Sequence, residues 1–326
     1  MRPKLKNKDG YFKFSIPRFI TLTAHLMFLL PAMMTLAGCK SGVTNFSGDN
    51  SFQFLEKQCS FGPRNPGSEG YKSCRNYLIE TLDNFADTVF TQPFQVTVDK
   101  DTFDLVNIIG RFQQESNNHT LLGAHWDTRP LADRDTNPEL RQDPILGAND
   151  GASGVAVLLE LARLFHESPP PIAVTIIFFD GEDLGKEGDP KSYARGSSYF
   201  ADNLPFSTPE NGIILDMVGD IDLNISIERN SYRQNPELVK ALWKQAETLR
   251  LPAFKNWLGY AVYDDHVPLW EKAQIPAVDI IDFEYPNRSA NFWHTHQDVP
   301  ANCSPRSLWQ VGTLLTHYIY NLETND

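Results

Sequence analysis

A few segments of this chain carry side chains that could gather around a metal ion. Trp293-His294-Thr295, Gly181-Glu182-Asp183 and Gly147-Ala148-Asn149-Asp150-Gly151 are the strongest of them. One imidazole and two carboxylates suit a catalytic zinc that keeps a position open, and one more carboxylate beside it can move protons. His125-Trp126-Asp127 and Asp216 add a second imidazole and a further acid. Taken singly, an Asp where an apolar run ends reads as a helix cap or a turn residue. Five potential ligands at five points that each follow a strand-like run are harder to explain that way.

The elements that must position them can be read from periodicity. Tyr71–Phe85 has helical spacing, with Tyr77, Leu78, Leu82 and Phe85 on one face. Phe90–Val98 alternates and predicts a strand; Leu105–Ile109 and Leu121–Ala124 are short apolar runs. Gly151–Phe165 predicts the most regular helix, stopped by Ser168-Pro169-Pro170-Pro171. Ala173–Phe179, Gly212–Met217 and Pro276–Ile281 are continuously apolar, as strands covered on both faces are. Pro236–Leu249 and Ser304–Leu322 predict helices with proline near their starts. Strands alternating with helices predict a single α/β domain: a central, twisted, mostly parallel mixed sheet with helices on both faces. In such sheets reactive residues collect beyond the carboxyl ends of the strands. Arg129–Pro144, polar and long, reads either as a lid or as an exposed loop.

The N-terminal segment reads as an address. Arg2, Lys4, Lys6, Lys8, Lys13 and Arg18 precede an apolar run from Phe19 to Ala37. Leu36-Ala37-Gly38-Cys39 follows, which resembles a bacterial lipobox. The expected organisation is a signal peptide over 1–38, a lipidated Cys39 with a flexible tether over 39–50, and a catalytic domain over 51–326. An exported protein follows, anchored by lipid to a bacterial membrane and facing the periplasm or the cell exterior.

The whole chain carries 29 basic and 41 acidic residues, a net charge of −12. Removing the basic leader leaves the remainder more acidic still, which argues against nucleic-acid partners and anionic lipid surfaces. Cys59, Cys74 and Cys303 form no Cys-x-x-Cys pair, so a thiolate zinc site is not expected. Pairing of Cys59 with Cys74 and unpaired buried thiols both remain open.

Five ordered segments together resemble one family. Gly123-Ala124-His125-Trp126-Asp127, Gly147–Ala152, Phe178–Asp183, Asp264-Asp265-His266-Val267-Pro268 and Trp293-His294-Thr295 are similar to segments of glutaminyl-peptide cyclotransferases. The match is to animal-type glutaminyl cyclases and their bacterial relatives, which share a fold with zinc aminopeptidases. Gly62-Pro63-Arg64-x-Pro66-Gly67-Ser68 belongs to the same pattern. The resemblance implies one zinc held by Asp150, Asp183 and His294, with Glu182 as general acid and base. It also implies Asp264 and Asp216 as a second carboxylate network, and Trp293 and Tyr263 at the substrate pocket. The substrate would be a peptide or protein with N-terminal Gln, the enzyme a monomer. His125, with Asp216, corresponds to second-metal ligands of the aminopeptidases, so the ligand inventory does not settle the metal count: one zinc is expected and a second has a place. The family commonly has Glu-Glu where this chain has Glu182-Asp183. The loop Leu184–Asp189 also lacks a tryptophan that the animal enzymes place there.

Two other readings stand beside this one. A di-zinc aminopeptidase would use the same ligands, with Glu182 activating water. A non-catalytic lipoprotein would keep the fold without the chemistry. Trp293 before the histidine and the doubled Asp264-Asp265 favour the cyclase.

Overall fold

Side chains that alternate between two apolar faces need cover on both, and the chain supplies it with helices on either side of one sheet. The structure is a computed structural model describing residues 45–116 and 118–322. Its helices are α1 (Gly48–Cys59), α2 (Glu69–Asp83), α3 (Ala152–Glu167), α4 (Arg195–Asp202), α5 (Arg229–Gln234), α6 (Pro236–Leu249), α7 (His266–Ala273) and α8 (Pro305–Tyr320). The main sheet holds β1 (Thr88–Val98), β2 (Asp101–Phe112), β3 (His119–His125), β4 (Ala173–Phe179), β5 (Asn211–Asp216) and β8 (Ala277–Ile281). Their spatial order is β1-β2-β4-β3-β5-β8. The strands β4, β3, β5 and β8 run parallel, while β1 and β2 join antiparallel at one edge. Two small sheets stand apart, β6 (Ile225–Ile227) with β7 (Phe254–Leu258), and β9 (Pro286–Asn287) with β10 (Ala290–Asn291).

One face of the sheet presents Ile108, Leu122, Ile176, Phe178, Leu215 and Val278 to a large core shared with α1, α2, α3, α6 and α8. The opposite face presents Ile109, Leu121, Ile177, Phe179 and Ile214 to α4 and α7. This explains why β3 and β4 are buried at every residue and show no polar alternation. Helix α3 lies close against the sheet because Gly154 lacks a side chain. A Cβ there would come within 2.4 Å of the Leu215 carbonyl oxygen.

The connections create the place for a site. From β3 the chain passes through α3 to β4 on one side; β5 then pairs with β3 on the other side. Neighbouring crossovers diverge at β3, and the crevice beyond its carboxyl end is where ligands bind in open α/β sheets.

Sequence and structure differ in several places. The strand expected over Phe90–Val98 begins at Thr88, and the one over Leu105–Ile109 extends to Asp101–Phe112. Those two strands pair along their whole lengths, and cross-strand bonds carry polar residues that periodicity passes over. The tether expected over 39–50 gives way earlier: Gly48–Asn50 form the first turn of α1, and Ser47 caps it by accepting from the Asn50 N–H. Cys39 and the expected signal peptide over 1–38 lie outside the described residues. Cys59, Cys74 and Cys303 are all buried free thiols. Burial pushes Cys59 and Cys74 up to about 12, against the pull of Arg64. Among the described residues no helix is long and apolar enough to cross a membrane.

Arg64 ties the site's loops to the body of the fold. It is fully buried. Its Nε donates to the Trp126 carbonyl (3.1 Å), Nη1 to Leu146 (2.8 Å) and Nη2 to Gly147 (2.6 Å). These carbonyls belong to the two segments that carry His125 and Asp150. Arg64→Met would leave three acceptors without a donor, and each such loss costs roughly 1–3 kcal/mol. We expect chemical denaturation to show Arg64→Met destabilised by about 3 kcal/mol or more. Arg64→Lys should recover less than half of this, since one ammonium cannot reproduce the planar fork. A wild-type midpoint for Arg64→Met would refute this role.

Candidate active site

His125 is the last residue of β3, Asp216 the last of β5, and Glu182 and Asp183 follow β4. Three adjacent parallel strands thus deliver four of the side chains to one crevice. Asp150 arrives from the turn before α3, and His294 from the loop after β10. Sequence positions 125 to 294 converge within a few ångströms.

The distances define two overlapping groups. His294 Nε2 lies 3.1 Å from Asp183 Oδ1 and 3.5 Å from Asp150 Oδ2. His125 Nε2 lies 3.1 Å from Asp216 Oδ1 and 3.2 Å from Asp150 Oδ1. Within Asp150–Asp183–His294, and within His125–Asp150–Asp216, candidate ligand atoms all fall within 4.8 Å of one another. Asp150 belongs to both. A third group joins His125 to Glu182 and Asp183.

The donor set fits a zinc ion. Neutral imidazole and carboxylate oxygen are its common ligands. Asp150 Oδ2 and Asp183 Oδ2 are buried and have no hydrogen-bond donor in the protein, as two acceptors reserved for a cation would be. Each histidine also has a carboxylate behind its other nitrogen. His294 Nδ1 is 3.4 Å from Asp133 Oδ1, and His125 Nδ1 is 3.6 Å from Asp127 Oδ1. Such partners set the tautomer and orientation of metal-binding imidazoles.

Backbone amides hold the loops that carry the acids. Asp127 accepts from the N–H groups of Glu182 (3.1 Å) and Asp183 (3.2 Å). Asp298 accepts from those of Asn149 (2.7 Å) and Asp150 (3.1 Å). Gly151 has φ +101°, and a Cβ there would fall 2.4 Å from the Asp127 carbonyl oxygen. Only glycine fits that turn. His294 itself has φ +56°, a conformation costing about 1–3 kcal/mol for a residue with a Cβ and often found at ligand clamps.

Crowding shapes the titration of the site. Burial, then the charge of Asp183, lifts Glu182 well above the usual carboxylate range, with Asp264 and Asp265 adding to it. Burial and Asp183 also push Asp150 up to about 7, against His125. Burial and Asp216 raise Asp264 to about 6. Asp183 goes the other way: His294 outweighs its burial and keeps its carboxyl low. Burial opposes charge on His294, but Asp183, Asp133 and Asp150 overcome it and raise the ring to about 9.

A pocket of about 360 Å³ opens over these groups. Its floor holds Asp150, Glu182, Asp183, Asp216, Asp264 and His294, and Tyr263 and Trp293 stand in its wall. All the residues expected at the site therefore meet there except His125, which sits beneath, 2% exposed, and Cys39. The segment 129–144 proves to be a brace. Buried Arg129 donates to the carbonyls of Asp183 and Gly185 and to Asp133, and Arg134 lies over Trp293 with its guanidinium carbon 5.3 Å from the ring centre. Sequence reading assigned no role to Asp127, Asp133, Arg129 or Asp298. Asp127 stood two residues from His125 in a quoted segment, which was a signal. Asp298, distant from Asp150 in sequence, gave none.

Behind Asp264 lies a second buried polar cluster. His266 is 3.2 Å from Glu228 and 3.6 Å from Asp279, and Asp264, His266 and Asp279 form a further close group.

Comparison with known proteins agrees with this geometry. The model of Peptidase family M28 matches residues 107–319. The solved Bacteroides thetaiotaomicron glutaminyl cyclase bound to N-acetylhistamine is 34% identical, with a TM-score of 0.82 over 86% of this chain and all of that one. A Zn-dependent exopeptidase from Parabacteroides distasonis is 35% identical, again with a TM-score of 0.82 over 86% of this chain and all of that one. A Bos taurus glutaminyl-peptide cyclotransferase-like protein is 25% identical over 285 residues, 78% of this chain and 71% of that protein. With the fold, the convergent acids and these likenesses in agreement, the chain belongs to Peptidase family M28.

Proposed function

We propose that this protein is a zinc-dependent glutaminyl-peptide cyclotransferase, converting the N-terminal Gln of peptides or proteins to pyroglutamate with release of ammonia. The observation that carries the reading is the placement of Glu182. It is a buried carboxyl with a raised pKa, adjacent in sequence to Asp183 and facing a small pocket that Trp293 and Tyr263 help to enclose. Relatives named glutaminyl cyclase, 34–36% identical, support the assignment.

Asp150, Asp183 and His294 would hold the zinc. When bound it would supply a Lewis acid that polarises the side-chain amide carbonyl of the substrate. The chain's own residues do the rest. Glu182 accepts a proton from the α-amine as the amine nitrogen bonds to the amide carbon. It returns that proton to the amide nitrogen as the C–N bond breaks and ammonia departs. A carboxyl raised above its usual range is a stronger base than an ordinary carboxylate, as a group that must first take a proton needs to be. Asp264 Oδ2 is buried at the pocket without a hydrogen-bond donor, so it is free to receive the substrate ammonium or the leaving nitrogen. Asp216 faces the same pocket and shares the field of Asp264. Trp293 stacks on His294 at 3.9 Å and closes one side against water.

A di-zinc aminopeptidase is the second reading, favoured by the completeness of His125–Asp150–Asp216. A single zinc fits better. Asp150 Oδ2 and Asp183 Oδ2, both buried acceptors without donors, belong to the Asp150–Asp183–His294 group, and Trp293 beside that histidine favours the cyclase. Export and lipid anchoring through Cys39, with a catalytic domain that binds no nucleic acid and acts as a monomer, complete the proposal.

Two experiments test it. With a Gln-initiated peptide, coupled ammonia detection should show turnover that chelation abolishes and zinc restores. Elemental analysis should find one zinc per chain, lost in His294→Ala and retained in His125→Ala; two zinc ions with release of a free amino acid would select the aminopeptidase. Second, Glu182→Gln should lower kcat by roughly 10²–10⁴-fold, the usual contribution of a proton-transfer group, while zinc content stays at wild type. Wild-type turnover in Glu182→Gln would remove the proton shuttle from the mechanism.

A further inference from the structure

The catalytic pocket is too small for a peptide. At about 360 Å³ it lies near the lower end of the roughly 300–1,000 Å³ typical of small-molecule sites. A peptide whose first residue is held there must lay its remaining residues elsewhere on the surface. One neighbouring groove shares lining with the pocket. Its volume is about 770 Å³, and Val262 and Phe283 belong to both. Arg134 and Glu187, which also line the pocket, form an ion pair (2.9 Å).

Exposed aromatic rings mark the way out. Trp293 lies 5.2 Å from Phe283, and Phe283 lies 6.2 Å from Tyr260, measured between ring centres. Trp257 and Leu258 continue the lining of the groove. Phe283 is 39% exposed, Tyr260 52%, Trp257 54% and Leu258 51%. Few large apolar side chains among the described residues are so exposed, and these four fall on one groove. A contiguous exposed patch of this kind marks a binding surface. Tyr and Trp suit such a role because they offer large contact area at little entropic cost. The ring spacing is also apt. In an extended peptide, side chains on the same face recur about every 6.6 Å, close to the steps between these rings. The outer edge of β7, which carries Trp257 and Leu258, pairs with no strand among the described residues.

We propose that Phe283, Tyr260, Leu258 and Trp257 form an extended subsite for the residues that follow the N-terminal glutamine of the substrate. This rests on the cyclotransferase reading and adds its selectivity: peptides of about four residues or more, with apolar or aromatic side chains after the glutamine. The occupant is the substrate's own chain, because the groove opens from the catalytic pocket through shared walls.

The test compares Gln-initiated peptides of two to six residues, carrying Leu or Phe after the glutamine, with the same series carrying Asp. In wild type, kcat/KM should rise by about tenfold or more from dipeptide to pentapeptide in the apolar series, and far less in the acidic one. The factor is that of a well-buried aromatic contact or two. The double variant W257A/Y260A, whose changes are confined to exposed side chains, should keep wild-type kcat/KM for the dipeptide and lose the rise. A flat length dependence in wild type, or a rise that survives in the double variant, would overturn the subsite. A calorimetric titration of the non-turning-over Glu182→Gln protein with the pentapeptide, with and without W257A/Y260A, gives a readout that needs no chemistry. If no peptide is cyclised, the cyclotransferase reading falls. Even so, equal pentapeptide binding by the two proteins overturns the subsite, and tenfold weaker binding upholds it. Concentration-dependent dimerisation abolished by W257A/Y260A, with no effect on peptide binding, would assign the face to a second copy and overturn the proposal.

Discussion

Mutual repulsion among buried carboxylates is the constraint on which this structure turns. Asp127, Asp150, Glu182, Asp183, Asp264, Asp265 and Asp279 are all at most 9% exposed; the first six lie outside the strands, and Asp279 lies within β8. Burying one unpaired charge is costly, and burying several together is worse. The chain answers in three ways. His125 and His294 stand between pairs of acids. Some acids are pushed toward their neutral forms, as the raised pKa values of Glu182, Asp265 and Asp279 show. In the reading proposed above, a divalent cation takes up the remainder. Such a site is unstable by design, and the surrounding fold must hold it.

That support is mostly backbone. Asp127 and Asp298 each accept two consecutive N–H groups, and in doing so fix the direction of the residues that bear the acids. Arg64 and Arg129 hold carbonyls of the same loops. Two buried guanidiniums and two buried carboxylates thus act as staples between segments far apart in sequence. A loop held in this way can keep His294 in a left-handed conformation that it would not choose alone. The rigidity of the proposed metal group therefore originates outside it.

How much of this was legible in the sequence depends on the range of the interaction. The helices α3 and α6 and the strand β4 were readable to within a residue or two, because periodicity and proline act locally. The convergence of His125, Glu182, Asp183 and Asp216 was readable because each ends or follows a strand of the parallel sheet, and parallel strands end at one edge; Asp150, before α3, and His294, after β10, lie outside that rule. The extent of β1 and β2 was not, since it depends on pairing with each other. The short helices α4 and α5 were also missed, for they lack the length that makes a helical period stand out. Asp298 as a partner of residues 149 and 150 is a long-range contact with no local trace. The groove beside Phe283 likewise arises only when β7 and the loop after β8 come together.

The shorter acid at position 183 sits in the same kind of frame: the chain has Glu182-Asp183 where the family it resembles commonly has Glu-Glu. Arg129 donates to the carbonyls of both Asp183 and Gly185, tying the start of the segment 184–189 to the site. Gly185 permits the approach, since any Cβ there would collide with the ring of Tyr193. Asp183 Oδ1 lies 3.1 Å from His294 Nε2. Tyr193 lines the pocket, as do Phe283 and Trp293. These rings supply aromatic cover where the animal enzymes' tryptophan is absent. Position 183 and the wall residue Tyr193 are thus placed by one loop, fixed at its start by Arg129 and packed at Gly185 against the Tyr193 ring.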